Sequence, residues 1–187
     1  MSLNCVVLAG GKSSRMGEDK ALLPFGGYST LSEYQYSRMR DIFDRVYISS
    51  KLDKFDFKVD IIYDRDSGSS PLNALISALE YLKSDIFLIS VDMPCISAET
   101  IERLICSYKS SPEYDIYVAK SKYGIEPTVA IYKESVLDKA KSRYKQMDFR
   151  LTGLIKSLNY LEVEIDREEE FINLNFKEDY LKVISKY

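Results

Sequence analysis

Histidine is absent from the 187 residues, and that one gap removes whole classes of chemistry. Ser-His-Asp and Cys-His hydrolases, His-ligated zinc enzymes and histidine general bases are excluded together. Cysteine is scarce as well. Cys5, Cys95 and Cys106 are odd in number and widely spaced, which argues against a disulfide framework and against a structural zinc site; they read as buried thiols in strands and helices. Long apolar runs are missing. Cys5-Val-Val-Leu-Ala and Ile86-Phe-Leu-Ile fall far short of a membrane span, and no charged-then-apolar leader precedes them, so a cytoplasmic protein without a membrane partner is expected. A formal net charge of −3 leaves no general basic field for nucleic acid. Whatever reaction the chain supports must run on carboxylates, lysine, arginine and hydroxyls, with or without a hard metal ion. Phosphate chemistry can be done with that set, because positioning and charge neutralisation supply most of its catalysis.

The length fits one domain with a three-layer core. Patterns of strand and helix alternate along it. Strands are predicted over 4–8, 45–49, 59–63, 86–91, 115–119, 127–132, 161–165 and 171–174. Helices are predicted over 31–43, 72–82, 98–108, 134–144, 149–158 and 177–184. Ser70 caps the second helix, with Pro71 at its first position, and Ser97 caps the third, with Glu99 in its first turn. The run at 86–91 is apolar on both faces, as a central parallel strand requires. The expected fold is an α/β three-layer, doubly wound, mostly parallel sheet, Rossmann-like, with its site at the carboxyl ends of the central strands.

The stretch Leu-Ala-Gly-Gly-Lys-Ser-Ser-Arg-Met-Gly-Glu-Asp-Lys-Ala-Leu-Leu, residues 8–23, follows the first strand. Gly11-Lys12-Ser13 looks like the end of a P-loop, but the glycine required five residues earlier is Val6. The dinucleotide fingerprint fails too, with Lys12 and Arg15 where glycines belong. What remains is a loop in which Gly10 and Gly11 let backbone N–H groups approach an anion, while Lys12, Arg15 and Lys20 supply cations. The alternative is a glycine turn flanked by solvated charges. At the end of the central strand, Asp92 in Ser90-Val91-Asp92-Met93-Pro94 offers a hard oxygen ligand of the kind that suits a magnesium ion. Its alternative role, capping the next helix, is better filled by Ser97.

Residues 8–23 resemble the signature of the small nucleotidyltransferases, Leu-Ala-Gly-Gly-x-Ser-x-Arg-Met-Gly-x-Asp-Lys-x-Leu-Leu, and in particular that of the molybdenum cofactor guanylyltransferases. The resemblance implies GMP transfer from GTP to molybdopterin with release of pyrophosphate, using Mg2+. It implies nucleotide contacts from the backbone at Leu8, Ala9, Gly10 and Gly11, and from Lys20 at the phosphates, with Arg15, Lys20 and Asp92 catalytic and Asp92 holding the metal. Asp64, ahead of Ser70-Pro71-Leu72-Asn73-Ala74, resembles the family's aspartate followed by Gly-Pro-Leu-x-Gly, which implies that Asp64, Pro71 and Leu72 surround guanine and ribose. Ser70 and Ala74 replace the usual glycines, Lys51 stands at a nucleotide-side position commonly held by asparagine, and Val91 replaces a small residue. Glu126, Pro127 and Thr128 resemble the substrate-side strand, and Asn173 and Asn175 the family's Asn-x-Asn, so these five are expected to face the pterin. On that reading residues 1–187 form one domain, with a nucleotide half over about 1–100 and a pterin half over about 101–187. Transient contact with other molybdenum cofactor biosynthesis proteins or acceptor molybdoenzymes is implied as well. A CTP-dependent or sugar-phosphate nucleotidyltransferase, or a non-catalytic nucleotide-binding protein, are the alternatives.

Overall fold

A computed structural model describes residues 3–10, 19–64 and 70–185. Among these residues seven strands form one sheet: β1 (Asn4–Leu8), β2 (Val46–Ser50), β3 (Asp60–Tyr63), β4 (Ile86–Ser90), β5 (Ile116–Ser121), β6 (Gly124–Tyr132) and β7 (Tyr160–Glu164). Their order is β3-β2-β1-β4-β6-β5-β7. Only β6 runs against its neighbours; the pairs β1–β2, β1–β4, β2–β3 and β5–β7 are parallel. From β1 the chain winds outward to β2 and β3, then returns to lay β4 on β1's other side. The sheet therefore has its switch point between β1 and β4, the place where an open α/β sheet leaves a crevice beyond its strand ends.

Alternation along the central strands explains the layers. Cys5 and Val7 of β1, with Phe87 and Ile89 of β4, pack against Leu31 and Met39 of α1 (Leu31–Arg40) and Ile101 and Leu104 of α3 (Ala98–Ser110). Val6 and Leu8, with Leu88, face the opposite way onto Leu72, Leu75 and Leu79 of α2 (Pro71–Leu82). Ala140 of α4 (Leu137–Lys145) and Leu154 of α5 (Leu151–Ile155) extend that second layer, while Val183 of α6 (Lys177–Ile184) joins the first. Covering on both sides is why β1 and β4 are apolar at nearly every position. The helix starts follow local chemistry: the Ser70 hydroxyl accepts from Asn73 N at 3.2 Å and the Ser97 hydroxyl from Thr100 N at 3.2 Å.

Five sequence expectations need correction. The segment over 171–174 is no strand: a 3-10 turn, Glu168–Phe171, leads into backbone whose Leu174 N–H goes to the carbonyl of Asp92 (2.9 Å) rather than to a sheet neighbour. Its apolar residues Phe171, Ile172 and Leu174 pack on the core from the loop side, which satisfies the same hydrophobic spacing without a ladder. The first helix stops at Arg40, although the buried Phe43 beyond it stacks on Phe87 and keeps the apolar pattern going. The helix predicted over 149–158 is confined to Leu151–Ile155, and the one predicted from 134 opens with a 3-10 turn, Glu134–Val136. Of the thiols, Cys5 alone is buried, with its pKa pushed up by burial; Cys95 is half-buried in the loop after β4 and Cys106 is exposed on α3.

Candidate active site

The parallel registers set Leu8 level with Ser49 on one side and Ser90 on the other, and Ser50 level with Tyr63. The residues that follow these strand ends, Ala9 and Gly10, Lys51, Asp64 and Asp92, thus leave the sheet along one edge. Ala9 N donates to Ser49 O, Val91 N to Leu8 O and Asp64 N to Ser50 O, at 3.0, 3.0 and 3.2 Å, so the ladder continues slightly past the strands and fixes their exits. Antiparallel pairing of β6 with β4 sets Ile89 opposite Val129. Thr128 and Pro127 consequently arrive beside the exit of β4, where the Thr128 hydroxyl contacts Met93 Sδ at 3.5 Å.

At the centre of this edge, the Lys20 ammonium makes an ion pair with Asp92 Oδ2, both side chains being largely buried. The other carboxylate oxygen accepts from the Ser90 hydroxyl at 2.5 Å, and the main-chain carbonyl of Asp92 accepts from Leu174 N. Lys20 also reaches the Leu174 carbonyl at 3.5 Å. The loop carrying Asp92 is braced from α1. Fully buried Gln35 donates to the carbonyls of Ser90 and Met93, and Arg38 donates to those of Pro94 and Ile96. Glu170 fastens the C-terminal segment to the same region, accepting from Ser97 N at 3.0 Å and from the Thr100 hydroxyl at 2.7 Å, a favourable place for a carboxylate at the start of α3.

Asp64 lies at the other end of the edge. Its Oδ1 accepts from Ser49 Oγ at 2.7 Å. Burial pushes this carboxyl above the ordinary range, while the Ser49 hydrogen bond and the Lys51 cation pull it partly back. A Cβ on Gly10 would come to 3.3 Å from Asp64 Oδ2, so glycine is what lets the backbone after β1 pass so near the carboxylate. Asn73, in the first turn of α2, is buried, and its Nδ2 finds no hydrogen-bond partner among the described residues. Glu126, half-buried on β6, is likewise held above the usual carboxylate range by burial, partly offset by Ser121.

Among the residues singled out from sequence, Lys20 and Asp92 meet directly, and Ala9, Gly10, Lys51 and Asp64 gather around the exits of β1 to β3. Leu8 and Ala9 are buried with backbone groups engaged inside the protein, whereas Gly10 is exposed. Pro71 is exposed, but the Leu72 side chain sits entirely in the core, so only its backbone can meet a ligand. Asn173 and Asn175 do not share a strand face; Asn175 N bonds back to Asn173 O at 2.8 Å, and Asn173 is half-buried while Asn175 is exposed. Gly11 and Arg15 lie outside the described residues. Sequence reasoning assigned nothing to Ser49, Ser90, Gln35, Arg38 or Lys54. Ser90 lies two residues before the aspartate it orients and could have been suspected; Lys54 belongs to no motif.

Among the described residues no group of three or more histidine, cysteine, aspartate or glutamate side chains could cage a metal. A single carboxylate beside a hydroxyl suits a hard divalent ion that takes most of its ligands from water and from a bound ligand. The donor set fits such an ion at Asp92 and does not fit a dedicated structural site.

Residues 5–160 match the model of the MobA-like NTP transferase domain. The chain is similar to the molybdenum cofactor guanylyltransferase of Helicobacter pylori strain G27, at 35% identity over 186 residues, which is 96% of this chain and 90% of that protein. Its fold resembles that of molybdopterin-guanine dinucleotide biosynthesis protein A from Archaeoglobus fulgidus, with a TM-score of 0.85 and 20% identity over 98% of both chains. A Mycobacterium tuberculosis protein solved in complex with manganese shares the fold at a TM-score of 0.69, with 17% identity over 100% of both chains.

Proposed function

Because the chain belongs to the MobA-like NTP transferase domain family, we propose that it transfers GMP from GTP to molybdopterin, forming molybdopterin guanine dinucleotide and pyrophosphate. The observation that carries the reading is the Lys20–Asp92 pair at the switch point of the sheet, one cation and one hard oxygen donor held together where an α/β sheet receives a nucleotide.

The terminal phosphate oxygen of molybdopterin attacks the α-phosphorus of GTP in line. A new phosphoanhydride bond forms, and the bond from the α-phosphorus to its bridging oxygen breaks, its electron pair leaving with pyrophosphate. The nucleophile is already an anion, so no general base is required, in keeping with a chain that lacks histidine. Lys20 stabilises charge that grows on the departing phosphates, and Arg15 is assigned to the same task. Asp92 would hold Mg2+, which when bound supplies positive charge against the triphosphate. Ser90 keeps the Asp92 carboxylate oriented. Asp64, Lys51 and the start of α2 at Pro71 and Leu72 receive ribose and base. The nucleotide half, about residues 1–100, works with a pterin half, about 101–187, in which Glu126, Pro127, Thr128, Asn173 and Asn175 face the second substrate.

No helix among the described residues is long and apolar enough to cross a membrane. We place the reaction in the cytoplasm, with the product handed on by transient contact to biosynthetic partners or acceptor molybdoenzymes. The test is pyrophosphate release from each of the four nucleoside triphosphates, with and without molybdopterin. Release from GTP that depends on molybdopterin is expected. A higher kcat/KM with CTP would reassign the base and point to Ser70, Ala74 and Lys51, which depart from the family pattern. Binding without release would make the chain a nucleotide-binding protein.

A further inference from the structure

Lys54 lies in the segment after β2, outside every motif, yet its Nζ joins two parts of the nucleotide edge. It donates to the Ala9 carbonyl at 3.1 Å and makes an ion pair with Asp19 Oδ2. The second oxygen of Asp19 accepts from Ala21 N at 3.1 Å and so caps the 3-10 turn Lys20–Leu22. That turn opens with Lys20, whose ammonium reaches Asp92. A continuous set of contacts thus runs from Ala9 through Lys54 and Asp19 to the turn, and from the turn to Asp92. Each contact is between described residues, and the side chain of Lys54 is only 21% exposed.

Electrostatics explains why a cation is needed there. Asp19 is the neighbour of Lys20 in sequence, and a carboxylate without its own counter-ion would compete with Asp92 for the Lys20 ammonium. Lys54 pairs with one Asp19 oxygen while Ala21 N holds the other, which leaves the Asp19 carboxylate committed to capping and favours the contact of Lys20 with Asp92. The Ala9 carbonyl gives Lys54 a second fixed anchor, so its flexible stem is held at both ends of the contact.

Resting on the guanylyl-transfer reading above, we propose that Lys54 is a positioning residue for transfer: it neutralises Asp19, ties it to Ala9 and thereby fixes the turn that aims Lys20. It acts through Lys20 and makes no contact with the reacting phosphates. A residue acting through another shows its effect only while that other is present, so the decisive experiment is a double-mutant cycle.

Lys54→Met keeps most of the length of the unbranched side chain and removes its charge. Its kcat for pyrophosphate release is expected to fall about tenfold, a size within the usual coupling of contacting residues, while the calorimetric Kd for GTP changes by less than about threefold. Lys54→Arg, able to pair with the Asp19 carboxylate, is expected to recover most of kcat. In the Lys20→Ala background, adding Lys54→Met should lower kcat no further. An unchanged kcat in Lys54→Met overturns the proposal, and so does an additive loss in the double variant. A rise in GTP Kd with kcat intact also overturns it, making Lys54 a nucleotide-binding cation instead. Should Lys54→Met lack a melting transition, Lys54→Gln keeps a donor for the Ala9 carbonyl without a charge for Asp19, and the same loss and the same cycle are expected from it. If Lys20→Ala itself leaves turnover unchanged, the functional reading fails; if Lys20→Ala is impaired and Lys54→Met is not, only the role of Lys54 fails.

Discussion

Lys20 and Asp92, 72 positions apart in sequence, form an ion pair at the junction of β1 and β4. Each residue is the natural partner of a different piece of the proposed substrate complex, Lys20 of the phosphates and Asp92 of the metal ion they carry. Holding the two together before substrate arrives keeps a largely buried cation and a largely buried anion mutually satisfied, and leaves both at the place where the proposed reaction seats the triphosphate. Binding then replaces one attraction by two.

Lys20→Ala is therefore expected to do more than weaken GTP binding. Charge builds on the pyrophosphate as it leaves, so the loss should appear in kcat as well as KM, about 2 to 4 kcal/mol in kcat/KM. The variant also strips Asp92 of its counter-ion, and a lowered melting temperature is expected, corresponding to about 1 to 3 kcal/mol for a buried group left short of a partner. Steady-state pyrophosphate release and thermal melting measure the two effects separately. An unchanged kcat would reduce Lys20 to an electrostatic brace for Asp92.

The identity of this pair was legible in sequence, but its contact was not. Residue type and strand-end position marked Asp92, and the basic glycine-rich stretch marked Lys20; only the crossing that places β4 beside β1 brings them together. The same distinction runs through the fold. β1, β4, the caps Ser70 and Ser97, and α6 follow from local pattern and local hydrogen bonds. The segment at 171–174 misled because alternating apolar residues report burial, and burial there comes from packing over the loop after β4 rather than from a ladder. Lys54, Gln35 and Arg38 were invisible for a related reason: each is defined by carbonyls and carboxylates supplied from distant segments, and nothing in its own neighbourhood records them.

Asp64 gives a pH dependence whose sign can be worked out. Burial raises its folded-state pKa above the ordinary value of 3.8, so the folded protein retains this proton to higher pH than the unfolded chain does. Its contribution to stability is greatest below the unfolded value and is lost as pH rises through the raised one; near neutrality the ionised group is a net cost. Asp64→Asn, which can still accept from Ser49, should raise the melting temperature at pH 7 and have little effect in acid. The same substitution should weaken GTP binding about tenfold if the carboxylate accepts a ligand hydroxyl. Ser49→Ala should push the Asp64 pKa higher still, because it removes the hydrogen bond that lowers it, and carbon-detected NMR titration would read the shift. A downward shift would contradict the assignment.

Gly10→Ala tests how closely the two sides of the nucleotide edge must approach. The added methyl would lie 3.3 Å from Asp64 Oδ2, tighter than ordinary contact, and Asp64 cannot turn away without giving up its bond from Ser49. The Asp64 carboxylate should yield by a few tenths of an ångström, at a stability cost of about 1 kcal/mol, typical of mild overpacking. Binding should suffer more than stability, since on the proposed reading the methyl also intrudes where the backbone receives phosphate. GTP affinity is expected to drop by roughly 1 to 2 kcal/mol, the cost of losing one or two such hydrogen bonds. The double variant Gly10→Ala/Asp64→Ala, read against Asp64→Ala alone, separates the causes: removing the carboxylate relieves the crowding but cannot restore the approach to phosphate. A melting temperature equal to that of Asp64→Ala with GTP binding weaker than that of Asp64→Ala is the expected result. Equality in both would mean that Gly10 serves only to make room for Asp64.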